Sequence, residues 1–341
     1  MTRALVVGLG GVGAVLAAHL LELGVEVTGL TRSAVLADAV RARGYLVRGE
    51  STPKAQRGPV RTQLSPRDGL FDWVFVTTYP SHAMAACAHA AAHVAEAGRV
   101  VAFTGAGAEL ATACGAERLV SAIAAWTATS DGLGGFERTS SGPIALGGRL
   151  DDASLGELAA ALEAVGPVTI AEDLGPMQWS KLVLDAVVGA LGALSAEPLG
   201  VLLQHGFARR LALDAITEGV AVARAVRVAL EPVPGTLDLE AVALTPDEQL
   251  ARADDEGVAA KHALLRAVGS RHRWARSKVG AAIERGEPSA ASFTAGELVQ
   301  RGADHGVPTP TLAALRDGVE ALERRRARAS LDNLAAAFRR A

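Results

Sequence analysis

Short apolar, β-branched runs alternate with stretches of helical period through about residue 175. As buried strands these runs cover residues 4–8, 25–30, 72–77, 99–104, 119–125, 143–147 and 167–171. Helical periodicity covers residues 11–23, 34–43, 81–97, 107–115 and 153–165. Such alternation predicts an α/β fold with a mostly parallel, doubly wound, Rossmann-type sheet. From about residue 176 long amphipathic periods take over, broken at Glu231-Pro-Val-Pro-Gly and at Gly286-Glu-Pro. The predicted organisation is therefore a nucleotide-binding Rossmann domain over residues 1–175 and an all-helical domain over 176–341. The length, 341 residues, is more than one core usually organises, and no internal repeat is visible.

The first strand runs directly into the first helix through Gly8-Leu-Gly-Gly-Val-Gly13. In that context each fingerprint glycine has a task. Gly8 permits the tight turn, Gly10 lets backbone approach a pyrophosphate, and Gly13 lets helix and strand pack closely. The anion then rests on the helix N-terminus. The bland alternative is a glycine-rich turn in an ordinary α/β domain. Candidate cofactor contacts are Gly8, Leu9, Gly10, Gly11, Val12 and Gly13, with Thr31, Arg32, Thr77, Thr78, Thr104 and Gly105 at the ends of neighbouring strands. The second strand ends Thr31-Arg-Ser33 with no carboxylate to hold a ribose 2′-hydroxyl. A guanidinium and two hydroxyls suit a 2′-phosphate, so NADPH/NADP is favoured over NADH. The alternative is that Arg32 is a solvated loop arginine.

Composition narrows the class. The net charge of −3 gives no general attraction to nucleic acid. No apolar run reaches the roughly 18 residues that span a bilayer, so no membrane partner is expected. The two cysteines, Cys87 and Cys114, imply neither a disulfide framework nor a zinc site, and a cytoplasmic location is the default. The apolar stretch after Met-Thr-Arg imitates a secretory signal, but its glycine spacing and its place in the sheet argue against one. His89 and His93 have a metal-compatible spacing but no third ligand nearby, and no metal is expected. The arginine-rich Glu323-Arg-Arg-Arg-Ala-Arg segment reads as the exposed side of a terminal helix.

Only four of the 34 basic residues are lysines: Lys54, Lys181, Lys261 and Lys278. Lys181 lies in an apolar helical segment, where an ammonium can donate a proton that arginine cannot release. A lysine snorkelling from a helix start is the competing reading. Asp185 lies one turn on, on the same helical face. It would keep the ammonium charged but repel an anionic substrate unless another cation answers it, and the run Arg271 to Lys278 could supply one. Tyr79 is expected at a strand's carboxyl end, as a proton-donor partner, a nicotinamide stack or an ordinary half-buried aromatic. Glu218 and Asp214 are weaker candidates for supporting contacts.

The glycine fingerprint, the arginine ending the second strand and Trp179-x-Lys181-Leu together resemble the ketopantoate reductases. The resemblance extends to Phe71-Asp-Trp-Val-Phe-Val-Thr, Phe103-Thr-Gly-Ala-Gly, Gly286-Glu-Pro-Ser and His305-Gly-Val-Pro-Thr-Pro. It implies a Rossmann domain plus a helical domain closing over the nicotinamide, NADPH, and hydride transfer to a ketone with Lys181 as proton donor.

The chain departs from that family where substrate is held. Tyr79 replaces a lysine, Thr104 an asparagine, and Asp185 and Gly189 two further asparagines. Ser289-Ala290-Ala291-Ser292 stands where the family has Thr-Glu-Ile-Asp, and Asn333 is the only asparagine in the chain. These losses predict a small-molecule carbonyl substrate other than ketopantoate, a bulkier ketone or an imine, in a roomier pocket. The alternative is a non-catalytic NADPH/NADP-binding sensor. A homodimer is one way to cover the apolar helical faces.

Overall fold

The computed structural model describes the chain except residues 50–51, 104–106, 150–151, 254, 287–288, 290, 292–293 and 339–341. It divides into two compact units, Met1–Gly175 and Pro176–Ala341.

The first unit contains, in order, β1 (Arg3–Val7), α1 (Gly11–Glu22), β2 (Glu26–Leu30), α2 (Ala34–Arg43), β3 (Leu46–Gly49), β4 (Val60–Arg61), β5 (Phe71–Val76) and α3 (Pro80–Ala91). It continues with β6 (Val94–Ala102), α4 (Gly107–Cys114), β7 (Leu119–Ala124), β8 (Ala128–Ser130), β9 (Gly135–Arg138), β10 (Ile144–Gly147), α5 (Ala153–Leu162) and β11 (Val168–Ala171). Eight strands form one sheet in the order β11-β10-β7-β6-β5-β1-β2-β4. All pairings are parallel except β10 with β7. The order reverses at β1: β2 lies on one side and β5 on the other, the switch point at which such sheets bind nucleotides.

Both faces of this sheet are covered, which is why its strands read as continuous apolar runs. Along β1, Ala4 and Val6 enter the core beneath α1 and α5, while Leu5 and Val7 enter the opposite core with residues of α3 and α4. Cys87 and Cys114 are free thiols buried in that second core.

Three features differ from the sequence reading. A second, three-stranded sheet, β3-β9-β8, was not expected, because its short, half-polar strands carry little periodicity. The helix expected over 81–97 ends at Ala91, and Val94 already pairs with Phe71 in the sheet. Strand pairing there overrides the helical preference of an alanine-rich run. Beyond α14, Arg324 and Arg325 follow the helix end, where cations complement its dipole, instead of lining its exposed side.

The second unit comprises α6 (Gly175–Ser195), α7 (Leu199–Leu202), α8 (Gly206–Ala225), α9 (Leu239–Val242), α10 (Pro246–Leu250), α11 (Glu256–Arg271), α12 (Lys278–Glu284), α13 (Ala295–Asp304), α14 (Pro310–Glu323) and α15 (Leu331–Phe338). Helix α6 begins on the last residue of the first unit. Its Val183, Ala186, Val187, Ala190 and Leu191 join α8, α11 and α14 in one apolar core. Among the described residues α6 alone is long and apolar enough to cross a membrane; those buried positions make it a core helix. Glu218 and Asp214 have structural tasks here. The Glu218 carboxylate accepts from the Thr311 and Leu312 amides, capping α14, and Asp214 pairs with Arg210. Burial raises the pKa of both carboxyls.

Candidate functional site

At the switch point the chain leaves β1 through Gly8, whose φ of +100° only glycine adopts readily. A Cβ there would lie 3.0 Å from both the Thr78 amide nitrogen and its Cγ2. Gly13 is sterically fixed: a Cβ would lie 2.2 Å from the Gly8 carbonyl oxygen and 2.6 Å from Thr77 Oγ1. The Thr77 hydroxyl donates to the Gly8 carbonyl at 2.7 Å and locks the turn to the end of β5. Gly10 is different. It is the N-cap of α1, no side chain caps that helix, and nothing lies within 4 Å of where its Cβ would be. The open face of the turn is thus at Gly10, beside the uncapped amides of α1.

Gly11 answers to another constraint. Its Cβ would come within 2.4 Å of the Ala128 carbonyl carbon, so its bare backbone lets β8 lie on α1. Leu9 buries its side chain in the core and Val12 packs partly against it, leaving the backbone of both for the turn. Thr78 Oγ1 is buried without a hydrogen-bond partner among the described residues. An orphaned hydroxyl, an uncapped helix and an open glycine together fit the diphosphate of a dinucleotide.

The end of β2 lies beside this turn, since Gly8 donates its amide to Leu30 at 2.9 Å. Ser33 accepts from Leu36 N as the N-cap of α2, and its own amide donates to Thr31 Oγ1 at 3.3 Å. Arg32 between them is exposed and makes no hydrogen bond or ion pair among the described residues. Tyr79 is the N-cap residue of α3, just beyond Thr77 and Thr78, and is 41% exposed. Thr104 and Gly105 lie outside the described residues.

In the helical unit the chemistry gathers on one face of α6. Lys181 Nζ donates to Asp185 at 2.8 Å and 3.1 Å, with the side chains 35% and 52% exposed. Further along this face Gly189 and Gly192 admit the start of α12. Cβ atoms there would meet Val279 at 3.1 Å and Ser277 at 2.8 Å. Ser277 donates its hydroxyl to the Gly189 carbonyl at 2.6 Å while capping α12. The room expected at Gly189 is therefore filled by α12. Ala290 lies outside the described residues.

That docking brings in the last residue of the basic run Arg271 to Lys278, which the sequence offers only as a whole as a source of a cation. Lys278, the first residue of α12, is exposed, yet its ammonium is held below lysine's ordinary pKa. Surrounding protein is the largest cause, Lys181 repulsion adds to it, and Asp185 opposes both. Elsewhere in the basic run, Arg273 stacks on Trp274 and Arg276 lines a cavity of about 190 Å³. Among the described residues no three His, Cys, Asp or Glu side chains form a metal site; His89 and His93 lie with ring centres 6.0 Å apart.

A Rossmann-type unit with an anion-ready turn, followed by an all-helical unit presenting a lysine–carboxylate pair, defines a bipartite nucleotide-binding class of protein. Residues 4–150 match the family described as ketopantoate reductase PanE/ApbA, and residues 173–323 match its C-terminal counterpart. The chain belongs to the ketopantoate reductase family. A 2-dehydropantoate 2-reductase of Pyrobaculum aerophilum is 32% identical over 96 residues, 28% of this chain. The chain spans about a third of that curated relative's length (34%). A PanE/ApbA family ketopantoate reductase of Ralstonia eutropha superposes with a TM-score of 0.77 at 20% identity, covering 95% of this chain and 99% of the other. D-mandelate dehydrogenase with NADH and anilino(oxo)acetate gives 0.77 at 15%, with coverage of 95% and 99%. A 2-dehydropantoate 2-reductase of Geobacter metallireducens gives 0.74 at 22%, with coverage of 93% and 99%. These three share its fold.

Proposed function

We propose that this protein is an NADPH-dependent reductase that delivers hydride to a ketone, or an imine, with Lys181 as proton donor. The observation that carries this reading is the Lys181–Asp185 pair at 2.8 Å, solvent-accessible on an otherwise apolar helix. The backbones of Gly8 to Gly13 would hold the diphosphate, with Thr77, Thr78, Thr104 and Gly105 at the strand ends. Thr31 and Arg32 would hold a 2′-phosphate, and the free guanidinium of Arg32 supports NADPH over NADH. The nicotinamide, when bound, supplies the hydride.

Lys181 Nζ gives its proton to the carbonyl oxygen as negative charge develops there, and solvent restores it. Asp185 holds the ammonium in place through both carboxylate oxygens. Tyr79 offers a hydroxyl or an aromatic face at the cofactor end of β5. Run backwards, the same groups oxidise a secondary alcohol.

The asparagines replaced by Thr104 and Asp185 and the absent glutamate favour a substrate other than ketopantoate, whereas Gly189 adds no room because α12 fills it. A fold neighbour that is D-mandelate dehydrogenase, carrying anilino(oxo)acetate, supports a bulky 2-oxo compound. A cytoplasmic location and a homodimer are part of the proposal. NADPH oxidation with ketopantoate, bulkier 2-oxo acids and ketones, compared with Lys181→Ala, tests it. Lysine-dependent turnover of a panel member is expected. Turnover indifferent to Lys181→Ala overturns the mechanism, and tight NADPH binding without turnover of any member favours a sensor.

A further inference from the structure

Helix α11 turns one face to solvent. Its Val258, His262, Leu265 and Gly269 are buried, while Glu256, Ala260, Ala263, Leu264, Ala267 and Arg271 are exposed. At 3.6 residues per turn these six lie within about 50° of one line along the helix. The middle of that line is apolar, with Leu264 44% exposed, and its ends are charged, by Glu256 in the first turn and Arg271 in the last. Neither charged side chain makes a hydrogen bond or ion pair among the described residues.

The order of these residues is palindromic. About the midpoint between Ala263 and Leu264, Ala260 is matched by Ala267 and Glu256 by Arg271. The same face turned end for end therefore sets alanine on alanine and a carboxylate on a guanidinium at both ends, the self-complementarity that a two-fold interface requires. Small side chains at the centre let two helices approach closely. The macrodipole of α11 accounts for a carboxylate at its start and a cation at its end, but not for the apolar stripe between them. A uniformly acidic partner would meet like charge at Glu256, and a uniformly basic one at Arg271. After Met1, the most exposed large hydrophobic side chains among the described residues are Leu250 and Trp274, at 91% and 74%. One precedes α11 and the other follows it, so antiparallel pairing brings the end bearing Leu250 onto the end bearing Trp274. Both extend a helix face about 24 Å long toward the roughly 1,000 Å² that a stable interface buries.

We propose that two copies of this chain pair antiparallel through α11, with Glu256 of each against Arg271 of the other. This deepens the homodimer of the proposed reading by naming its interface, and it is independent of the reductase chemistry.

Sedimentation velocity over a dilution series would compare wild type, Arg271→Glu, Glu256→Arg and the double exchange Glu256→Arg/Arg271→Glu. Each single reversal sets like charges together at both ends, and a dimer Kd raised about 10- to 100-fold is expected. The double exchange regenerates both opposite-charge pairs and should restore most of the affinity. Because these exchanges oppose the helix dipole, thermal melts would check the fold. Leu264→Glu, which leaves the helix ends untouched, places two carboxylates at the two-fold centre and should also dissociate the dimer. A wild-type monomer at every concentration overturns the homodimer and its interface together. A wild-type dimer that neither the single reversals nor Leu264→Glu weaken overturns the α11 interface alone, as does a folded double exchange no tighter than the single variants.

Discussion

Gly10 and Gly13 are both small, but the structure gives them opposite reasons, and alanine separates these. Gly10 has φ −82° and ψ −166°, a conformation alanine adopts freely, with nothing within 4 Å of the added Cβ. Gly10→Ala should keep stability within about 1 kcal/mol of wild type, the range of an N-cap change. Its methyl group would stand where a diphosphate must meet the backbone, and about 100-fold weaker NADPH binding is expected. At ligand 100-fold above the wild-type Kd, NADPH stabilises by about 2.7 kcal/mol; a 100-fold weaker site keeps about 0.4 kcal/mol. For a unit of this size the NADPH-induced rise in Tm should shrink from about 5–10 °C to about 1 °C. In Gly13→Ala the Cβ would meet Gly8 O at 2.2 Å and Thr77 Oγ1 at 2.6 Å, well inside the roughly 3.5 Å of ordinary contact. Overpacking and a weakened Thr77–Gly8 bond, offset by about 1 kcal/mol of helix propensity, leave a loss of about 1–3 kcal/mol without ligand. Thermal unfolding with and without NADPH reads both effects. A Gly10→Ala protein that keeps the full NADPH shift would refute the placement of the diphosphate.

Other substitutions probe separate parts of the account. Arg32→Ala should weaken NADPH binding about 10- to 100-fold and leave NADH nearly unchanged, as paired titrations would read; equal losses would remove Arg32 from the 2′-phosphate site. Asp185→Asn should change stability by less than about 1 kcal/mol, since the pair is exposed, but lower kcat about 10-fold or more by freeing Lys181. Asp152 caps α5 and its pKa is held down to about 2 by Ser154 and Arg99. A depressed carboxyl stabilises above its unfolded pKa of about 3.9 and loses that contribution as pH falls through the folded value. Asp152→Ala should therefore cost about 1 kcal/mol at neutral pH, a deficit that vanishes toward pH 2 in acid-unfolding curves.

Much of this architecture is written in local sequence, and the exceptions have physical causes. The central strands are legible because burial on both faces makes them continuous apolar runs, as in Leu5-Val-Val and Val74-Phe-Val. The small sheet is not, because strands such as Arg48-Gly49 and Ala128-Thr-Ser hold together by register, not by hydrophobic period. One local signal does exist: Gly11 is a glycine beyond the three of the fingerprint, and Ala128 is the reason. In the candidate site, the spacing of Lys181 and Asp185 places them on one helical face from sequence alone. The approach of Lys278 depends on Ser277 docking α12 onto Gly189, a long-range contact that no window of sequence reports. For the same reason Gly189 reads as vacant space in one dimension and as a packing contact in three.

The central claim is a transfer of hydride to substrate carbon, assisted by Lys181, and the fate of that hydrogen tests it most directly. NADPH deuterated at the transferable nicotinamide position would be incubated with the protein and phenylglyoxylate, and the product examined by mass spectrometry. The account predicts a 2-hydroxy acid carrying one deuterium at the carbinol carbon, and almost none with Lys181→Ala. Tight NADPH binding with the label left on the cofactor, across this and the other carbonyl compounds, would contradict it.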